Sequence, residues 1–125
     1  MMMRQAPVFA LAALLLLLSP AAHATVESTC KSISDSDHPG VQYDFCVKTL
    51  QSDPSSATAD VRGLAVIATK LSSKKATEIS GKIKELLKSS QDKAEKESLS
   101  TCDELYSNLI DNLDSSLSAI TLQEK

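Results

Sequence analysis

The groups in this chain able to do chemistry are three thiols, at Cys30, Cys46 and Cys102, and two histidines, His23 and His38. Thiols in an oxidising compartment pair as disulfides, Cys and His sets hold zinc, and a thiolate beside a base is a nucleophile. Cys30 and Cys46 flank Pro39-Gly40, a turn signal midway between them. A bridge closing a loop of this size contributes roughly 3 kcal/mol in the loop-entropy picture. The rival reading is a metal site drawn from Cys30, His38, Cys46 and Cys102, but the chain has no C-x-x-C or H-x-x-x-H pair to support it. Cys102 is then the odd thiol, unpaired or joined to a second molecule. As a catalytic thiolate it has no evident base nearby in the sequence.

The remaining inventory for catalysis is thin. Serines are abundant, yet none sits in a G-x-S-x-G elbow, and there is no phosphate-cradling glycine loop, H-E-x-x-H or EF-hand spacing. Asp111 and Asp114 stand at helical spacing and fit a solvated face better than an acid–base pair. An enzyme is not expected, nor a cofactor, nor a metal.

The chain opens with a segment that is not part of a fold. Met1–Arg4 is a short cationic start, Val8–Leu18 is an unbroken apolar run, and Ala22-His23-Ala24 offers small residues where a signal peptidase reads. The run is far short of the ~20 apolar residues of a membrane span. A signal peptide over residues 1–24 is therefore expected, with Thr25 as the mature N-terminus, secretion to the cell exterior, and no membrane attachment after cleavage. Thr25–Lys125 then forms one domain of roughly 100 residues, near the lower limit for a self-sufficient core. Lys and Arg number 13 against 16 Asp and Glu. Loss of Arg4 with the leader makes the mature chain more acidic still, which argues against nucleic acid as a partner. Aromatic residues are 3% of the chain, so the core must be built from Leu, Ile, Val and Ala, as in a helical bundle. No N-x-S/T sequon is present, and N-glycosylation is not expected.

Helices account for the pattern from Val26 onward. Val26–Ser34 makes two or three turns with Thr25 or Ser28 as N-cap. Asp35–Gly40 is a polar turn, and Val41–Leu50 follows with Val41, Phe45 and Leu50 on one side. Asp53 before Pro54 is placed to cap a further helix. Val61, Leu64, Ala68, Leu71, Lys75, Ile79, Ile83 and Leu86 then advance by a mean of ~3.6 residues per step. After a polar break at Ser89–Asp92, Leu99, Cys102, Tyr106, Leu109, Leu113, Leu117 and Ile120 advance by ~3.5. Each long helix spans roughly 30 residues, or about 45 Å, and the short break calls for antiparallel packing. Two helices leave apolar stripes uncovered.

Several segments in order resemble one family. Thr29-Cys30-Lys31, Tyr43-Asp44-Phe45-Cys46, Leu50 through Asp53-Pro54, and Ala59-Asp60-Val61-Arg62-Gly63-Leu64-Ala65 look like the opening half of the plant invertase and pectin methylesterase inhibitor domain. Cys102-Asp103-Glu104-Leu105-Tyr106 is similar to the cysteine-plus-tyrosine signature of its second bundle helix. The resemblance implies an all-α fold, an N-terminal helical hairpin stapled by Cys30–Cys46, followed by long antiparallel helices of a four-helix bundle. It also implies that Cys102 matches one member of a second disulfide whose partner would lie beyond Lys125, so that the bundle is incomplete in this chain. The function implied is stoichiometric occlusion of a cell-wall enzyme's cleft, with pectin methylesterase favoured over acid invertase and the apoplast as the place of action. Read from the residues themselves, the acidic patch of Asp103, Glu104, Asn108 and Asp111 is the candidate contact with the target, against the alternative of a solvated helix face, which its composition fits better. A non-inhibitory helical chain that forms a homodimer through its exposed half-bundle is the alternative.

Overall fold

The computed structural model describes residues 24–36 and 40–122. The leader reading and His38 lie outside the described residues. Among the described residues four α-helices appear in order: α1 (Val26–Ser34), α2 (Tyr43–Gln51), α3 (Val61–Ser89) and α4 (Lys93–Leu122), with a short 3-10 helix at Pro54–Thr58. No strand occurs among the described residues. Two compact units divide at Leu64/Ala65, inside α3.

The first unit is a hairpin. Thr25 caps α1 in a reciprocal box: its Oγ1 accepts from the Ser28 amide at 3.1 Å while the Ser28 Oγ accepts from the Thr25 amide at 3.0 Å. Two of the donors that a helix start leaves unpaired are thereby satisfied. Gly40, at φ +154°, holds a conformation that L side chains rarely adopt, on the approach to α2. Cys30 and Cys46 are joined with their Cα atoms 5.7 Å apart, and Gln51 Nε2 donates to Glu27 Oε1 at 2.9 Å. Bridges that join the later residue of one helix to the earlier of the other, and the reverse, make α1 and α2 antiparallel. Val26, Cys30, Cys46 and Leu50 are buried. Val41 and Phe45 were expected beside Leu50, but both are exposed, Phe45 at 67%. The disulfide fixes the rotation of α2 with Cys46 inward, which turns Phe45 about 100° away.

Asp53 starts the 3-10 helix as its sequence suggests, accepting from the Ser55 amide and hydroxyl at 2.9 and 2.6 Å ahead of Pro54. Asp60 then starts α3, its Oδ1 accepting from the Gly63 amide at 2.7 Å.

The second unit is a longer hairpin of α3 from Ala65 and α4. Asp92 caps α4, its Oδ1 accepting from the Ala94 amide at 3.0 Å. Ser73 Oγ donates to Asp114 Oδ1 at 3.2 Å. A contact so far from so short a connection requires antiparallel helices. The phase of each stripe differs from the one counted in the sequence. On α3, Ala76, Ser80 and Ile83 are buried, whereas Ala68, Lys75 and Leu86 are exposed, as is Val61 at the helix start. On α4 no residue is fully buried. Leu99, Asp103, Tyr106, Ile110, Leu113, Leu117 and Ile120 are half-buried in alternating steps of four and three. That is the spacing of a helix seam, and it replaces Cys102 and Leu109 of the expected stripe with Asp103 and Ile110. Ser72, Ser73 and Gly81 do not interrupt α3. Thr69 and Thr77 each donate their hydroxyl to the carbonyl four residues back, keeping their polar groups paired on the helix itself.

Candidate functional site

The acidic patch expected from the sequence lies on α4, whose continuous helical backbone sets which members share a face. Glu104, Asn108 and Asp111 are exposed and recur at helical spacing, so they form one outward row. Asp103 does not join them. It belongs to the half-buried seam, and its Oδ1 is buried without a hydrogen-bond partner. A buried carboxylate oxygen left unpaired is costly, and Asp103 stands apart from the outward row. Asp114, one turn beyond Asp111, is engaged by Ser73. The row that can meet another molecule is thus three residues, with two carboxylates and one amide between them.

Among the described residues no three His, Cys, Asp or Glu side chains converge as metal ligands. Cys102 is free and exposed. No described helix is long and apolar enough to cross a membrane. The chemistry available to the outward row is hydrogen bonding, with the Asn108 amide both donating and accepting, and negative charge, the chemistry of recognition.

A concavity of the first unit was not foreseen from the sequence. An open cleft of about 440 Å³ in the first unit is lined by Thr25, Val26, Glu27, Gln51, Pro54, Ser56 and Ala57. Of these, Ser56 is 5% exposed, and Glu27 and Gln51 are hydrogen-bonded to each other. Thr25 and Pro54 were legible as caps, but nothing in the sequence says that residues 24 positions apart would clasp.

A family model described as plant invertase/pectin methylesterase inhibitor matches residues 24–125. The "Putative invertase inhibitor" of Platanus acerifolia is 45% identical over 94 residues, 74% of this chain and 52% of that protein. The "Cell wall / vacuolar inhibitor of fructosidase 2" of Arabidopsis thaliana is 37% identical over 89 residues, 70% of this chain and 46% of that protein. The "Pectinesterase inhibitor 28" of Oryza sativa subsp. japonica is 49% identical over 51 residues, 41% of this chain and 19% of that protein. The chain spans about half the length of the first of these relatives. No solved structure gives a significant match.

Proposed function

Because the chain belongs to the plant invertase/pectin methylesterase inhibitor family, we propose that it inhibits a cell-wall carbohydrate-active enzyme by occupying its active-site cleft in a stoichiometric complex. The observation that carries this reading is the family match across 24–125, which takes in every described residue. Inhibition by occlusion needs a rigid surface complementary in shape and charge, and no nucleophile or cofactor. The outward row Glu104, Asn108 and Asp111 is the contact proposed on α4, as a rim that steers and orients the target.

Acid invertase is the first target to test. The two longer matches, over 94 and 89 residues, carry invertase and fructosidase inhibitor names. Pectin methylesterase, the target preferred in the sequence analysis, is the second reading, supported by the shorter 49% match. The motifs do not separate the two targets because they build the shared scaffold, and a scaffold does not select a target. Export to the cell wall completes the proposal. The Cys30–Cys46 bridge suits an oxidising compartment.

The test is a titration of the protein recovered from the medium of a secreting host against both enzymes. The expected result is a linear loss of one activity, reaching zero near one chain per enzyme, with Thr25 as the first residue on N-terminal sequencing. A sample that is helical by circular dichroism yet leaves both enzymes active sinks the inhibitor reading. Retention of residues 1–24 on the recovered protein sinks the leader.

A further inference from the structure

We propose that a row of lysines on α3 binds a linear polyanion whose charges are carboxylates, the chemical class of de-esterified pectin. α3 carries Lys70, Lys74, Lys75, Lys82, Lys84 and Lys88 against Glu78 and Glu85, although acidic residues outnumber basic ones in the whole chain. Four of these lysines share a face. At about 100° per residue, Lys70, Lys74, Lys84 and Lys88 fall within an arc of about 80° and reach along about 27 Å of the helix. All four are exposed. Among the described residues none of them is ion-paired: the pair on α3 is Lys75–Glu78, and both of its members stand to one side of the row.

This face stays open whatever else packs on the hairpin. Thr77 and Gly81, which stand in the row between the two lysine pairs, are exposed, and a Cβ on Gly81 would meet nothing within 4 Å. The Thr77 hydroxyl is turned back onto the Ser73 carbonyl at 2.8 Å. No apolar side chain lies between Lys70 and Lys88 on this arc, so a further helix laid along it would bury ammonium groups and gain no apolar contact in return. The buried residues of α3 beyond Ala65, Ile67, Ala76, Ser80 and Ile83, all lie off the row.

Charge and shape select the occupant. Ammonium groups set in line along a rod suit an extended chain with recurring negative charge, whereas a compact anion needs donors that converge on it. A docking protein needs aromatic, arginine or apolar anchors, and the row offers none. Nucleic acid is held through arginine forks and stacked bases, and the row has neither an arginine nor an aromatic ring. Lysine is a flexible point charge, suited to carboxylates repeated along a polymer. The choice of a uronate polymer rests on the proposed action in the cell wall. Hydrolysis of a pectin methyl ester leaves a carboxylate on the sugar, so a pectin methylesterase makes the polymer that this row holds. The contact keeps the inhibitor beside the surface on which its target works, and leaves Glu104, Asn108 and Asp111 on the other helix to the enzyme.

The test is retention of the purified chain on immobilised polygalacturonate, on the same polymer heavily methyl-esterified, and on immobilised polyphosphate. Retention on polygalacturonate is expected, falling as salt rises from about 0.01 M to about 0.15 M and the screening length shrinks from about 30 Å to about 8 Å. Lys84→Gln with Lys88→Gln, on the row, is expected to weaken it by about tenfold. Lys75→Gln with Lys82→Gln removes the same charge off the row and is expected to weaken it much less. Circular dichroism of each variant confirms that it stays helical. No retention of a helical sample at about 0.01 M salt overturns the proposal. Equal retention on the esterified polymer overturns it too, because the contact is then with sugar rings and not with carboxylates. Stronger retention on polyphosphate assigns the row to phosphate, and equal losses in the two double variants remove the row as the site. If Lys84→Gln with Lys88→Gln keeps its retention and loses inhibition, the row belongs to the target enzyme. Retention is read without any enzyme present, so the inhibitor reading and this proposal fail separately.

Discussion

A Cβ placed on Gly63 would come within 2.9 Å of the Ala59 Cβ and 3.3 Å of Asp60 Oδ1. Neither neighbour is the loose end of a long side chain, and Asp60 is held there by the Gly63 amide. Gly63 is therefore required by close approach at the start of α3. Gly81 is different, because a Cβ there meets nothing within 4 Å and the residue lies inside a helix. Gly63→Ala is expected to destabilise the chain by about 1–2 kcal/mol through crowding, and Gly81→Ala to stabilise it by about 0.5–1 kcal/mol. Urea melts of the two variants followed by circular dichroism check both signs, and equal effects would remove the distinction. The difference was invisible in the sequence, where Gly81 read as a weak point and Gly63 stood out only within a resembling motif. Cys102 and Asp103 carry a similar lesson. Cys102 was placed on the buried stripe by its spacing, yet Asp103 occupies the seam with an unpaired buried oxygen.

At the scale of elements, the helices, the caps at Thr25 and Asp53 and the antiparallel long pair were legible because they rest on local rules of periodicity, capping and turn chemistry. The rotation of each helix was not. A stripe advancing by ~3.5 residues fits two phases about one residue apart, and the choice between them is made by what packs opposite. On α2 it is made by a covalent bond, which turns Cys46 inward and Phe45 outward. The same bond bears on whether α1 and α2 persist at all. Each is 9 residues long, below the ~12–15 residues at which an isolated helix is even marginal in water. Cys30→Ser with Cys46→Ser is thus expected to cost about 3 kcal/mol in the first unit. Hydrogen exchange should show loss of amide protection concentrated in α1 and α2, while α3 beyond Ala65 and α4 keep theirs. Uniform loss across all four helices would mean that the two units do not unfold separately.

For the whole molecule, the family and the all-α class were readable from ordered motifs, whereas the target was not, because motifs that build a scaffold are shared by inhibitors of different enzymes. Glu104 and Asp111 belong to the outward row offered to a target enzyme, whereas the exposed Leu105 and Leu109 lie well round the helix from it. Glu104→Lys with Asp111→Lys is therefore expected to weaken inhibition by about tenfold, and Leu105→Ser with Leu109→Ser to leave it intact. Inhibition titrations of the two variants, read beside circular dichroism of the same samples, check both outcomes. If the leucine variant loses inhibition in step with the charge variant while both stay helical, the Leu105–Leu109 face itself contacts the enzyme, and the outward row is not what orients it.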